Sequence, residues 1–217
     1  YLSSNLIKLK KNIKAKTIFV CCSKGIEMSS LKLPSEIVSS LFPKNKIAVI
    51  SGPNFASEIA RGLPAATVVA SKSDQVANKI ALLIKSPTLR PYLSDDIIGS
   101  QIAGALKNIY AIASGIVFGK KYGENAVASI ISRSFAEIKI VAQTMNAKKS
   151  TLAGLSGMGD LFLTCSSKES RNFSLGIDLA KGKTLNQIIE KKFSVAEGVF
   201  TVRALKKLSL DKKLDFQ

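Results

Sequence analysis

The sequence contains no histidine. That removes Ser-His-Asp and Cys-His nucleophile systems, HExxH metalloprotease sites and histidine-based zinc sites, because each needs an imidazole as base or ligand. Acid and base chemistry therefore falls to Lys, Asp, Glu, Tyr or Cys. Lys107 stands out first, within AGALKNIYAIASG, a run so rich in small and apolar residues that it reads as a buried helix. A lysine there must be paired or lose its charge; the alternative is a stem that snorkels to water. Lys24 follows the β-branched run TIFVCCS, in the crevice beyond strand C-termini where open sheets bind ligands. Ser51-Gly52-Pro53-Asn54-Phe55-Ala56 likewise ends a strand and opens a helix, so Gly52 allows close backbone approach and free amides face an anion. Each of these is otherwise an ordinary turn. Asp160 follows GLSGMG as a candidate site carboxylate or a simple N-cap. Ser170-Arg171-Asn172 sets a guanidinium beside helix amides, a good phosphate site unless Arg171 is merely exposed.

The elements that must hold these residues fall into two halves. TIFVCCS, KIAVIS (Lys46 to Ser51) and ATVVAS (Ala66 to Ser71) are short apolar runs closed by turn residues, with helical stretches at Phe55 to Arg61 and Ser73 to Lys85. This grammar predicts an open α/β sheet with crossover helices, its first strand buried and parallel, and a last extended stretch at Tyr92 to Ile98. From there the spacing is helical: Gly99 to Val117, Asn125 to Met145, Phe173 to Lys181, Thr184 to Lys191 and Ala196 to Leu208, with glycine-rich turns between. The expected fold is α/β plus all-α, an open sheet with crossover helices followed by an all-helical second half. Gly157-Met158-Gly159 is no dinucleotide fingerprint, since Phe162 occupies the third glycine position and no strand precedes it. Gly176 to Thr184 has the wrong spacing for a P-loop.

The 217 residues carry a formal charge of +17, with arginine at only five of the 32 basic positions. Lysines scattered along the chain speak to solubility and non-specific association, so no nucleic-acid partner is expected. Three cysteines, two of them adjacent at Cys21 and Cys22, suit reduced thiols in a cytoplasmic protein. No apolar run approaches the roughly 20 residues of a membrane span, so no membrane insertion is expected.

The strings SKGIE, ISGPNFASEIA, GALKNIYAIASGI, LSGMGDLFLTC, SRNFSLG and VAEGV, in this order, resemble the bacterial NAD(P)-dependent glycerol-3-phosphate dehydrogenases from about Thr17 to Leu208. The resemblance implies reversible NAD(P)H-dependent reduction of dihydroxyacetone phosphate to sn-glycerol 3-phosphate in the cytoplasm, for glycerophospholipid synthesis, with a homodimer as a further expectation. It implies that residues 1–98 are the C-terminal portion of a Rossmann-type sheet domain and residues 99–217 an all-helical substrate domain, and it assigns Lys107 as the catalytic lysine. It assigns substrate contacts to Lys24, Gly52, Asn54, Lys107, Asp160, Ser170, Arg171 and Asn172, and cofactor contacts to Lys24, Ala56, Arg171, Val195 and Glu197. Asn54 departs from the Thr or Ser usual in the family. The family's first strand and GxGxxG turn do not occur in this sequence, and the family usually continues past a block like LDKKLDF into another helix, so the chain is expected to be incomplete at both ends, either as part of an intact enzyme or as the product of a broken gene. Three other readings compete: a different reductase of the same superfamily, of the 6-phosphogluconate or ketopantoate type, against which the SRN and SGMGD blocks argue; an inactive remnant of the same enzyme; and a non-catalytic basic protein binding nucleic acid or lipid headgroups through its lysines.

Overall fold

The structure, a computed structural model, describes residues 2–191 and 197–212. A short helix α1 (Leu2–Leu9) buries Leu6 and leads into β1 (Ile18–Cys21). The helix α2 (Pro34–Leu41) starts with Pro at its first position and with Glu36 Oε2 accepting from Leu33 N at 2.8 Å. Both features satisfy or remove orphan donors at a helix start. Then come β2 (Lys46–Ser51), α3 (Ala56–Ala60), β3 (Ala65–Ala70), α4 (Asp74–Ile84) and β4 (Leu89–Ser94).

The four strands lie in the order β1-β2-β3-β4. β1 pairs with β2 in parallel, with Ile18 opposite Lys46, and β3 pairs with β4 in parallel, with Ala65 opposite Leu89. β2 and β3 run antiparallel, Val49 opposite Ala70, which departs from the expected crossover pattern. The reason lies in α3, which has five residues and buries none of them. It covers no sheet face, so the chain turns back instead of crossing over. β1 is also less buried than expected, an edge strand with Val20 exposed. The stretch expected at Tyr92 to Ile98 is a strand only as far as Ser94. Side chains alternate across the sheet: Val49, Val68 and Ala70 face α2 with Ile37, Val38 and Phe42, whereas Ala48 and Val69 face α4 with Val76, Ala77 and Ile80.

Helix α5 (Ile97–Gly119) begins two residues before the expected division of the chain and carries it from sheet to helices. Asp96 caps it, Oδ1 accepting from Gly99 N at 2.8 Å. After it come α6 (Glu124–Thr144), α7 (Lys149–Ala153), one π turn (Leu155–Gly159), α8 (Asp160–Ser166), α9 (Arg171–Ala180), α10 (Leu185–Lys191) and α11 (Glu197–Lys212). No strand follows β4 among the described residues. α6, α8, α9 and α11 all pack on α5. Ile102, Ala105 and Leu106 of α5 are fully buried among Ile138, Val141, Leu161, Cys165 and Ala204. Each such aliphatic side chain contributes about 2 kcal/mol of burial. Contrary to the sequence reading, α5 is long and apolar enough to cross a membrane by length and composition alone. Here the helices wrapped around it make it a core helix, with Lys107 at its middle.

Candidate active site

Packing determines where Lys107 sits. Its backbone is held in the most buried stretch of α5, between Leu106 and Asn108, and the residue is only 7% exposed. It does not snorkel. Its ammonium reaches Asp160 Oδ1. Asp160 is the first residue of α8, is 1% exposed, and offers its other oxygen, Oδ2, to Lys24 Nζ at 2.5 Å. The N-cap role is therefore not the one realised: no side chain caps α8, and the carboxylate is spent on two lysines. Lys24 arrives from the loop after β1, its stem lying against Gly104, one turn before Lys107 on α5. Thr164, one turn along α8, donates to the Asp160 carbonyl at 2.6 Å.

Two ammonium groups thus share one carboxylate in a place with little water. Burial is the largest influence on Lys107, and the Lys24 charge adds to it. Asp160 opposes both, and the outcome is a pKa lowered from 10.5 to about 8. The cysteine thiols move the other way: burial pushes Cys165 up to about 12 and Cys21 up to about 11. Burial also raises Cys22, against the pull of Lys24. None of the three is poised as a thiolate, which leaves Lys107 as the group suited to proton transfer near neutral pH.

The second wall comes from the turn after β2. Gly52 has φ +148°, and a Cβ there would lie 3.3 Å from Thr67 Cα and 3.3 Å from Asn54 Oδ1, so only glycine holds the chain this close to β3. Asn54 is pinned by its amide, which donates to Ala66 O at 2.9 Å and Pro53 O at 3.0 Å, leaving Oδ1 as an acceptor. Ala56 begins α3 and is exposed. The third wall is the start of α9. Ser170 caps it by accepting from Phe173 N at 3.3 Å, and Arg171 is its first residue. Asn172 Oδ1 accepts from Gly198 N at 3.0 Å, which seats α11 against α9. Glu197 accepts from Asn108 Nδ2 at 3.3 Å and faces Arg171 NH2 at 3.6 Å. That ion pair is half-exposed and contributes little, so the guanidinium is available to another anion.

These walls enclose a cavity of about 430 Å³, within the usual range for small-molecule sites. Lys24, Asn54, Ala56, Lys107, Ser170, Arg171, Asn172 and Glu197 all line it. Gly52 and Asp160 lie behind this lining, Gly52 beneath Asn54 and Asp160 beneath the two lysines. Val195 lies outside the described residues. The cavity also exposes residues that sequence reasoning gave no role: Cys22, Phe55, Ser57, Asn108, Thr164 and Glu169. Thr164 was findable, since it sits at i+4 from Asp160 on one helix face. The hydrogen bond from Ser57 Oγ to Glu169 Oε2 at 2.8 Å joins segments 112 residues apart and leaves no local signal.

Residues 96–217 match the family model for the C-terminus of NAD-dependent glycerol-3-phosphate dehydrogenase, and residues 1–77 match the model for its N-terminus. The chain belongs to this family. Among relatives, it is 46% identical over 209 residues to the glycerol-3-phosphate dehydrogenase (NAD(P)+) of Caulobacter vibrioides, covering 96% of this chain and 63% of the relative. It is 45% identical over 213 residues to that of Ehrlichia chaffeensis, covering 97% of this chain and 65% of the relative. The chain thus spans a little under two thirds of their length. The crystal structure of glycerol-3-phosphate dehydrogenase from Coxiella burnetii superposes with a TM-score of 0.95 at 33% identity, over 99% of this chain and 66% of that one. The yeast structure, at 24% identity and a TM-score of 0.84, shares the fold. Family membership accounts for a sheet followed by helices.

Proposed function

We propose that this chain carries the substrate chemistry of an NAD(P)H-dependent glycerol-3-phosphate dehydrogenase, the reversible reduction of dihydroxyacetone phosphate to sn-glycerol 3-phosphate that feeds glycerophospholipid synthesis. The observation that supports it best is the single buried carboxylate of Asp160 holding two lysines at the floor of a cavity whose rim carries Arg171. In this reading residues 1–98 form the cofactor side and residues 99–217 the substrate side.

Reduction of the ketone develops negative charge on its oxygen. The Lys107 ammonium donates a hydrogen bond to that oxygen and then a proton, and in the reverse direction neutral Lys107 takes the proton from the hydroxyl. Asp160 keeps the Lys107 head in place. Lys24 leaves the floor with two positive charges against one negative, which suits a dianionic substrate. Arg171, Asn172 and the N-terminus of α9 take the phosphate. The Asn54 Oδ1 accepts from a substrate hydroxyl.

A bound nicotinamide supplies the hydride and takes it back in the reverse direction. The residues present fit the nicotinamide end of such a cofactor: Lys24, Ala56, Arg171 and Glu197 line one cavity, and Val195 belongs to the same set by resemblance. They do not supply a pyrophosphate cradle, since β1 runs into Cys22 to Gly25 and β2 into Gly52 to Phe55, neither with a GxGxxG turn.

The test is calorimetric binding of dihydroxyacetone phosphate to the chain, together with its reduction followed by NADH consumption. Arg171→Ala should weaken substrate binding, and Lys107→Ala should cut turnover by about 100-fold or more. Unchanged turnover in Lys107→Ala would sink the assignment. Binding without turnover in the unaltered chain would leave the substrate reading standing and the cofactor reading refuted for these 217 residues. Residence in the cytoplasm and a homodimer belong to the same proposal. The first is supported by three free cysteines, and the second by the apolar patch of Leu82 and Leu83, both more than 70% exposed on α4.

A further inference from the structure

The lysines look scattered in the sequence, yet the fold gathers a group of them at one end of the sheet. Lys8, Lys10, Lys11, Lys14 and Lys16 leave α1 and enter β1, and all five are exposed. The side-chain amide of Asn45 donates to Lys14 O, Ala15 O and Thr17 O at 2.9, 3.3 and 2.8 Å, which clamps this turn against the one before β2. Exposed Lys44 and Lys46 flank that asparagine, and Lys46 lies opposite Ile18 in the strand register. No aspartate or glutamate occurs from residue 2 to 26 or from residue 37 to 57; where β3 and β4 end beside this group, Asp95 is already paired with Lys148 and Asp74 stands two residues from exposed Lys72. None of these seven lysines makes an ion pair among the described residues. Ile7 and Leu9 stand among them at 57% and 47% exposure.

We propose that this end of the sheet is a docking surface for an anionic lipid bilayer. Charge complementarity points to a polyanion, and two further features favour lipid over nucleic acid. The cations are all lysine, point charges without the planar fork that arginine brings to base and phosphate recognition. Exposed apolar Ile7 and Leu9 flank Lys8 on α1, on either side of the buried Leu6 around the helix, and apolar side chains beside cations suit a headgroup boundary. Geometry makes docking compatible with the cavity. The patch surrounds the N-terminal ends of β1 and β2, while Lys24 and Gly52 lie beyond their C-terminal ends, about 13 Å away along the four residues of β1. A membrane bound here leaves the cavity mouth open. This surface stands independently of the dehydrogenase reading.

The experiment is co-sedimentation of the chain with vesicles of pure phosphatidylcholine and of phosphatidylcholine with one third phosphatidylglycerol, across a salt series. The expected result is binding to the second only, lost as salt rises. Each lysine near an anionic surface is worth about fivefold in partitioning. Replacing Lys10, Lys11, Lys14 and Lys16 by Gln should therefore weaken binding by roughly several hundred-fold. A charge-matched control, Gln at Lys79, Lys85, Lys120 and Lys181, should retain most of it. Ile7→Ser with Leu9→Ser should weaken it several-fold. Equal loss in both quadruple variants overturns the proposal, because net charge alone then explains the binding. So does vesicle binding that survives the patch substitutions, or no change on removing the two apolar side chains. A short DNA duplex that outcompetes the anionic vesicles at equal charge overturns it in favour of nucleic acid.

Discussion

Lys107 is held where its charge is expensive, and that cost is measurable. Its folded pKa lies near 8 against 10.5 for the free group. Between these values the unfolded chain binds the extra proton and the folded chain does not, so stability contributed at this position rises with pH through that window. Relative to Lys107→Met, the unaltered chain should gain about 2 kcal/mol in urea unfolding between about pH 7.5 and about pH 9.5. A flat difference would show that Lys107 titrates elsewhere. In the proposed reaction turnover should follow the same group: reduction of dihydroxyacetone phosphate would need the ammonium and should fall as pH rises through about 8, while glycerol 3-phosphate oxidation should rise. Asp160→Asn strips the shared anion and leaves two ammonium groups together. It should cost about 3 kcal/mol at neutral pH. The loss should shrink in alkali, where Lys107 is neutral, and the pH at which reduction declines should move lower, since Asp160 is what holds Lys107 up. Much of this residue-scale logic was legible beforehand. A lysine inside AGALKNIYAIASG demands a partner. Which partner was legible only through the family resemblance, which sets Lys24 and Asp160 in one site with Lys107, because Lys24 and Lys107 stand 136 and 53 residues from Asp160 in the chain and meet it only through packing.

The elements that bring these residues together depend on close approach between helices. A Cβ on Gly115 would fall 2.1 Å from Phe173 O, and one on Gly176 would fall 2.1 Å from Ile112 O, so α5 and α9 touch backbone to backbone at this crossing. Alanine at either position raises helix propensity by about 1 kcal/mol in isolation. Here the crowding should dominate, with a net loss of about 2 kcal/mol in thermal or urea unfolding. Because Arg171 and Asn172 ride on the first turn of α9, Gly115→Ala should also weaken phosphate binding. Stabilisation instead would mean that the helices can separate without cost. Periodicity read the long helices well: α5 and α6 begin within two residues of where their apolar spacing places them. It missed α2, whose PSEIVSSL offers three serines and little apolar rhythm and is marked mainly by Pro34 and the Glu36 contact to Leu33 N. It also missed the antiparallel turn between β2 and β3, since strand direction depends on what the connecting segment covers, and a five-residue helix with no buried face gives no periodic signal.

At the scale of the molecule, the two halves share one helix. Ile97, at the start of α5, belongs to the apolar cluster under the sheet, whereas Ile102, Leu106 and Ala111 belong to the cluster of the helical half. Asp96 fastens this shared start. One carboxylate oxygen caps Gly99 N at 2.8 Å, and the other accepts from Lys148 N, also at 2.8 Å, at the turn between α6 and α7. Asp96 is 4% exposed, and its bond to Gly99 N is buried while that to Lys148 N is partly so, which makes the first amide the more dependent on its acceptor. A chain joined this way should unfold as a single unit, with the secondary-structure signal of the far ultraviolet and the tyrosine signal of the near ultraviolet moving together. Asp96→Ala removes the cap and the tie at once and leaves one buried and one partly buried amide unpaired, at a cost of about 2 kcal/mol. The expected consequence goes beyond a lower midpoint. Tyr110 sits in the helical half, its hydroxyl donating to Glu137 Oε2 at 2.9 Å, so once Tyr92 of β4 is replaced by Phe the tyrosine signal reports chiefly on α5 and α6. With the tie gone, the sheet can melt while α5 and α6 still hold that tyrosine. The two signals should then separate, and the urea dependence of each should become shallower. If the transitions of Asp96→Ala stay coincident, the burial of α5 couples the halves without help from Asp96, and the carboxylate is only a helix cap.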